Sequence, residues 1–225
     1  GNMHLAPEKA TKVDLSYNFS SQAVNLFVNG YLSHTTDYIS QMTKMDNERL
    51  ITTYANADSD IKRGVEVSLK VTPAKWMNFS VGANTYYVTT EGVFEGMHID
   101  NQGWTNNSNL LLDFVPWKGG DLQLQYFITT PQYYPQLTTS LTHQMNMGIK
   151  QRFMKGAMTA SILVTDVLNT AKWDVWSNNS LFNLKNSSTN KSRMIWLGVS
   201  YNFNSFKQKS NQKAETDRSL IKLGL

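Results

Sequence analysis

Ile195-Trp196-Leu197-Gly198-Val199-Ser200-Tyr201-Asn202-Phe203 carries an apolar residue at every odd position and mostly small or polar residues between them. Successive side chains of a strand point to opposite faces, so this stretch reads as a strand with one greasy face and one wet face. The same alternation returns about nine times along the chain, which predicts an all-β protein built as an up-and-down antiparallel sheet.

Working back from that stretch, Met158, Ala160, Ile162 and Val164 oppose Thr159, Ser161 and Thr165, and Met145, Met147 and Ile149 oppose Gln144, Asn146, Lys150 and Arg152. Leu122, Leu124, Tyr126 and Ile128 oppose Gln123 and Gln125, while Leu110, Leu112 and Phe114 oppose Asn109 and Asp113. Toward the start, Met77 to Ala83, Val65 to Val71, Val24 to Val28 and Val13 to Phe19 repeat the pattern. Tight polar turns such as Thr72-Pro73-Ala74-Lys75 and Pro116-Trp117-Lys118-Gly119-Gly120 alternate with long polar stretches near 44–50, 91–103, 130–138 and 169–191, which are read as loops. Short and long connections in turn are what a membrane barrel gives when one rim has tight turns and the other bears the loops. Phe19, Trp76, Trp117, Phe153 and Phe203 sit beside the short turns, as an interfacial aromatic belt would.

Composition narrows the reading. The chain of 225 residues has no cysteine, so thiolate metal sites and cysteine nucleophiles are excluded. Its net charge of +4 owes much to Lys207, Lys209, Lys213, Arg218 and Lys222 in the last stretch, and no basic strand face suggests a nucleic-acid partner. No apolar run is long enough for a spanning helix. Residues 1–204 read as one barrel segment and 205–225 as a polar, disordered tail with a short amphipathic stretch over Ala214 to Leu223. Gly1-Asn2-Met3-His4 lacks an export signal, and nine strands is an odd number where bacterial single-chain barrels have even ones; both suggest a segment of a longer protein.

Three elements carry a family likeness: Leu5-Ala6-Pro7-Glu8-Lys9-Ala10 leading into Val13-Asp14-Leu15-Ser16-Tyr17, Tyr54-Ala55-Asn56 followed by Gly64-Val65-Glu66, and Thr165-Asp166-Val167-Leu168-Asn169-Thr170. In this order they resemble the late barrel strands of TonB-dependent outer-membrane receptors of the Bacteroidetes type. The resemblance spans residues 5 to 204 and implies the C-terminal part of a larger barrel in the outer membrane of a Gram-negative bacterium. It implies short turns toward the periplasm, long loops outside, and uptake of a siderophore, glycan or peptide with no bond made or broken. The implied partners are outer-membrane lipid, the N-terminal plug and further barrel strands, the inner-membrane TonB complex reached through them, and a surface lipoprotein. The chain departs from many outer-membrane proteins in continuing past Phe203.

No catalytic constellation emerges. His4, His34, His98 and His143 lack metal-ligand spacing, there is no nucleophile elbow, and Asp58 with Asp60 or Glu91 with Glu95 offer too few oxygens for a calcium site, so neither metal nor cofactor is expected. The candidate ligand contacts are the loop aromatics Trp104, Tyr133, Tyr134, Trp173, Trp176 and Phe182, although interfacial girdle residues have the same composition. Glu66, Lys70, Asp113, Lys150 and Arg152 are expected to face the lumen, either pairing across strands or meeting a plug or polar substrate. The competing readings are a soluble β-barrel that binds a small ligand inside, and a passive porin-like channel.

Overall fold

The computed structural model describes residues 2–47, 49–189 and 191–203, so the expected tail lies outside the described residues. Nine strands form one sheet: β1 (Lys9–Ser20), β2 (Val24–Asp46), β3 (Arg49–Ala74), β4 (Met77–Phe94), β5 (Met97–Phe114), β6 (Gly120–Thr129), β8 (Thr142–Phe153), β9 (Met158–Thr165) and β12 (Met194–Tyr201). Each pairs antiparallel with the next in that order. The remaining three, β7 (Thr138–Thr139), β10 (Lys172–Asn178) and β11 (Asn183–Thr189), make a small separate sheet in the order β11-β10-β7. β1 and β12 are the edges of the large sheet, which is not closed on itself.

Register turns the one-dimensional alternation into two surfaces. Following the paired residues across eight strands gives the row Val24, Val71, Phe79, Leu112, Leu124, Met147, Val164, Ile195, apolar throughout. A row of the other face runs Ser16, Asn29, Glu66, Asn84, Asn107, Thr129, Thr142, polar throughout. A slip of one residue in any pair would mix the two faces, so the side-chain pattern itself specifies the register. The apolar face is open: Leu15 is 82 % exposed, Leu197 77 % and Val199 73 %.

The β1–β2, β3–β4, β5–β6 and β8–β9 turns lie at one end. Ser21 N–H donates to the Val24 carbonyl at 2.7 Å in the β1–β2 turn, Val115 N–H to the Trp76 carbonyl at 2.7 Å, and Arg152 N–H to the Gly119 carbonyl at 2.7 Å. The last two bonds stitch the β3–β4, β5–β6 and β8–β9 turns into one rim. Phe19, Trp76, Trp117 and Phe153 are exposed there, as the belt required, and the Trp76 and Phe114 rings stack with centroids 6.4 Å apart.

At the other end three expected loops are strands, 169–191 among them as the β10–β11 hairpin. β2 and β3 run for 23 and 26 residues and β4 and β5 for 18 each, well beyond the roughly 9–11 residues that cross a bilayer. The stretch near 44–50 is the tip of the β2–β3 hairpin, and 91–103 belongs to a continuous β4–β5 hairpin that closes through Glu95 (φ 50) and Gly96 (φ 76). Positive φ at both central residues makes a turn whose twist matches that of the strands. Their polarity resembles that of a loop because a hairpin standing in water has no apolar outer face to reveal it. Asp37 (φ 53) and Asp58 drop out of the ladder between Thr36–Ser59 and Tyr38–Ala57, and beyond them Met42 and Ala57 are buried with Phe94, Met97 and Ile99. The hydrophobic core of the described chain therefore lies in these hairpin extensions.

Candidate functional site

The outer connections fold onto one face of the hairpins. After β6 the chain turns back so that Thr105 Oγ1 donates to the Pro131 carbonyl at 2.9 Å, Asn101 Nδ2 to the Tyr134 carbonyl at 2.6 Å, and the Tyr86 hydroxyl to Gln132 Oε1 at 3.3 Å. Thr105 and Asn101 share strand parity with Asn107, and Tyr86 with Asn84, so the loop covers the continuation of the polar face. Gln136, which is buried, replaces a strand: its Oε1 accepts the Thr43 N–H at 2.6 Å and its Nε2 donates to the Thr43 carbonyl at 3.0 Å. Thr138 and Thr139 then pair with Trp176 and Val175, which ties the β10–β11 hairpin into the same layer. A polar face roofed by its own loops is the interior, and the bare apolar face is the exterior.

The motif around Asp166 launches this layer. Asp166 (φ 46) ends β9 and is fully buried; its carboxylate accepts N–H bonds from Thr170 at 2.9 Å and Ala171 at 3.2 Å and the hydroxyl of Ser192. Its own N–H donates to Asn146 Oδ1 at 3.0 Å, and Thr170 Oγ1 donates to the His143 carbonyl at 2.8 Å. Burial pushes the Asp166 carboxyl up, but the bonds from Ser192, Thr170 and Ala171 and the nearby Arg193 charge outweigh it and hold the group below its ordinary value. At the other end of the chain, Asn56 clamps the opening segment: Ala6 N–H donates to Asn56 Oδ1 at 2.9 Å, and Asn56 Nδ2 donates to the carbonyls of Ala6 at 2.9 Å and Asp37 at 2.6 Å.

The loop aromatics part company. Trp104 is not on a loop: it lies in β5 opposite Tyr87, on the apolar outer face, 63 % exposed, with the two rings edge to face at 5.5 Å. It is a girdle residue at the outer end of the lipid face, about as far from Trp76 and Phe114 as a spanning strand is long. Tyr133 is held against Gly103, where a Cβ would meet its ring, and Phe182 is buried. Tyr134, Trp173 and Trp176 remain exposed on the loop layer, with Trp176 in one row with Thr138 and Lys185 of the small sheet.

Glu66, Lys70, Asp113, Lys150 and Arg152 all fall on the interior face, spread over β3, β5 and β8. Arg152 pairs with Asp121 at 2.7 Å, Asp113 accepts from Gln123 Nε2 at 2.5 Å, and Glu66 and Lys70 are exposed toward the lumen without an ion pair among the described residues. Sequence reasoning missed a second interior group near the roof: buried Asp60 accepts from the Thr90 hydroxyl at 2.8 Å and pairs with Lys62 at 2.9 Å, whose ammonium lies 5.8 Å from the Tyr38 ring centroid. Glu95, weighed above as a calcium ligand, pairs with Lys44 at 2.6 Å, and the hydrogen bond and charge of Glu95 raise the Lys44 ammonium above its ordinary value.

A polar interior, a lipid-ready exterior about one bilayer tall, an aromatic belt at the turn end and the Trp104–Tyr87 pair at the other leave the soluble reading, with its apolar face inward, without support. No curated protein and no solved structure matches the chain, whereas the model of the outer membrane protein beta-barrel family matches residues 1–201. The chain belongs to that family, and its place is the outer membrane of a Gram-negative bacterium.

Proposed function

We propose that the chain supplies barrel wall and outer loops of a TonB-dependent receptor that takes up a scarce nutrient of the siderophore, glycan or peptide class. The observation that carries the proposal is the roof: long outer connections fold inward over the polar interior face. On this reading Tyr134, Trp173 and Trp176 meet the ligand from outside, and Glu66 and Lys70 face a plug or the passing substrate. The likeness of the opening segment, the Tyr-x-Asn and Gly-x-Glu pair and the Asp166 element to receptors of the Bacteroidetes type supports it further. The chain works as a conduit and not as an enzyme.

The two open edges fit the same proposal. Unpaired strand N–H and C=O groups are not tolerated in hydrocarbon, so β1 and β12 need further strands beside them. The remaining partners are a plug, the inner-membrane TonB complex and a surface lipoprotein.

The test is to delete the chromosomal gene that encodes this chain, restore it, and follow uptake of candidate nutrients with and without a protonophore. Saturable uptake abolished by the protonophore is expected. Uptake that is linear in concentration and indifferent to the protonophore would instead make the protein a passive channel.

A further inference from the structure

Three neighbouring turns of the short-turn rim carry an exposed lysine beside a belt aromatic: Lys75 with Trp76, Lys118 with Trp117, and Lys155 close to Phe153. The hydrogen bonds from Val115 to Trp76 and from Arg152 to Gly119 bring these turns together in sequence along the rim, two strands apart each. At about 4.8 Å per strand the lysine-bearing turns are spaced on the order of 10 Å. None of the three lysines forms an ion pair among the described residues. Two carboxylates close in sequence to Lys118 face the interior and are engaged there, Asp121 by Arg152 and Asp113 by Gln123.

Between the first two of these turns the apolar exterior is indented. Trp76, Phe114, Val115, Pro116 and Leu122 line a groove of ≈ 660 Å³, within the range of about 300–1,000 Å³ that small-molecule sites occupy. Its walls are apolar, it includes the belt residue Trp76, and the two turns that border it carry the exposed Lys75 and Lys118. That combination matches one occupant: a molecule with an acyl chain for the groove and an anionic head for the lysines.

We propose that this rim is a binding site for an anionic glycerophospholipid, whose phosphate head is held between Lys75 and Lys118, with Lys155 adding its charge further along the rim, while one acyl chain lies in the groove against Trp76 and Phe114. The site would anchor the turn end of the sheet in its leaflet. It holds equally for an energised receptor and for a passive channel, so its failure says nothing about the uptake reading.

The full-length protein, folded into phosphatidylcholine vesicles, is titrated with brominated phosphatidylglycerol and, separately, brominated phosphatidylcholine, reading the quenching of tryptophan fluorescence. Phosphatidylglycerol is expected to quench at lower mole fraction. The variant Lys75→Gln, Lys118→Gln, Lys155→Asn should lose that preference, by roughly fivefold per lysine removed; asparagine is chosen at 155 because φ is 57 there. Replacement of Lys75 and Lys118 by arginine should keep the preference, and Trp76→Leu should remove most of the lipid-specific quenching. Equal quenching by the two lipids in the unaltered protein, or a preference that survives loss of all three lysines in a variant with unchanged circular dichroism, would overturn the site.

Discussion

Two glycines show how single residues shape the interior. At Gly64 an added Cβ would lie 2.6 Å from Tyr86 Cβ, 2.8 Å from the Thr85 carbonyl oxygen and 2.8 Å from the end of Tyr31. Two of those three contacts are with backbone or with an atom fixed to it, so nothing can step aside. At Gly103 the three nearest atoms to the Cβ would be outer ring atoms of Tyr133, the far end of a side chain that can swing away. Gly64→Ala should therefore cost about 1–3 kcal/mol of stability as overpacking, and Gly103→Ala much less while loosening the 130–139 loop. Urea unfolding from vesicles and limited proteolysis of that loop separate the two effects. Asp166 gives a pH prediction. Its folded-state value is lowered, so the stability it contributes is fully present above its ordinary value of about 4 and is lost as pH falls through the folded value. The loop layer should become protease-sensitive in acid below that point, and Asp166→Asn should be sensitive already at neutral pH without a further acid transition.

At the scale of elements, the alternating strands were legible in the sequence because each has one face in lipid and one in water: every apolar position in the row from Val24 to Ile195 is an outward one. The hairpin extensions were not legible, since beyond the girdle both faces meet either water or a protein layer and the period-two signal fades. Asp37 and Asp58 deepen the difficulty by breaking the ladder in mid-strand. The site was legible only in part for the same reason. The interior charges followed from parity alone, but Trp104 looked like a loop residue until its pairing with Tyr87 put it on the outer face, and nothing local marks Gln136 as a residue that caps the edge of β2. Gln136→Ala leaves the half-buried Thr43 N–H and C=O without their side-chain partner, at up to about 1 kcal/mol for each bond lost. The loop should then detach from β2, visible as faster amide exchange at Thr43 and unchanged protection in β8 and β9.

For the whole molecule, the account makes stability depend on which side of the sheet a charge is placed. Arginine for Leu124, in the apolar row, should cost roughly 2–4 kcal/mol in a bilayer, and Gln125→Arg, one residue along and facing the lumen, should cost little. The outward apolar face is the claim on which the family placement, the girdles and the lipid site all lean. It is tested most directly by placing a nitroxide label at each position from Asn109 to Phe114 and from Leu122 to Gln125 in bilayer-embedded protein, and measuring its collision rates with oxygen and with a water-soluble nickel complex. Oxygen access should peak at Leu110, Leu112, Phe114, Leu122 and Leu124 and nickel access at Asn109, Asp113, Gln123 and Gln125. The opposite phase, or no alternation at all, would contradict the account.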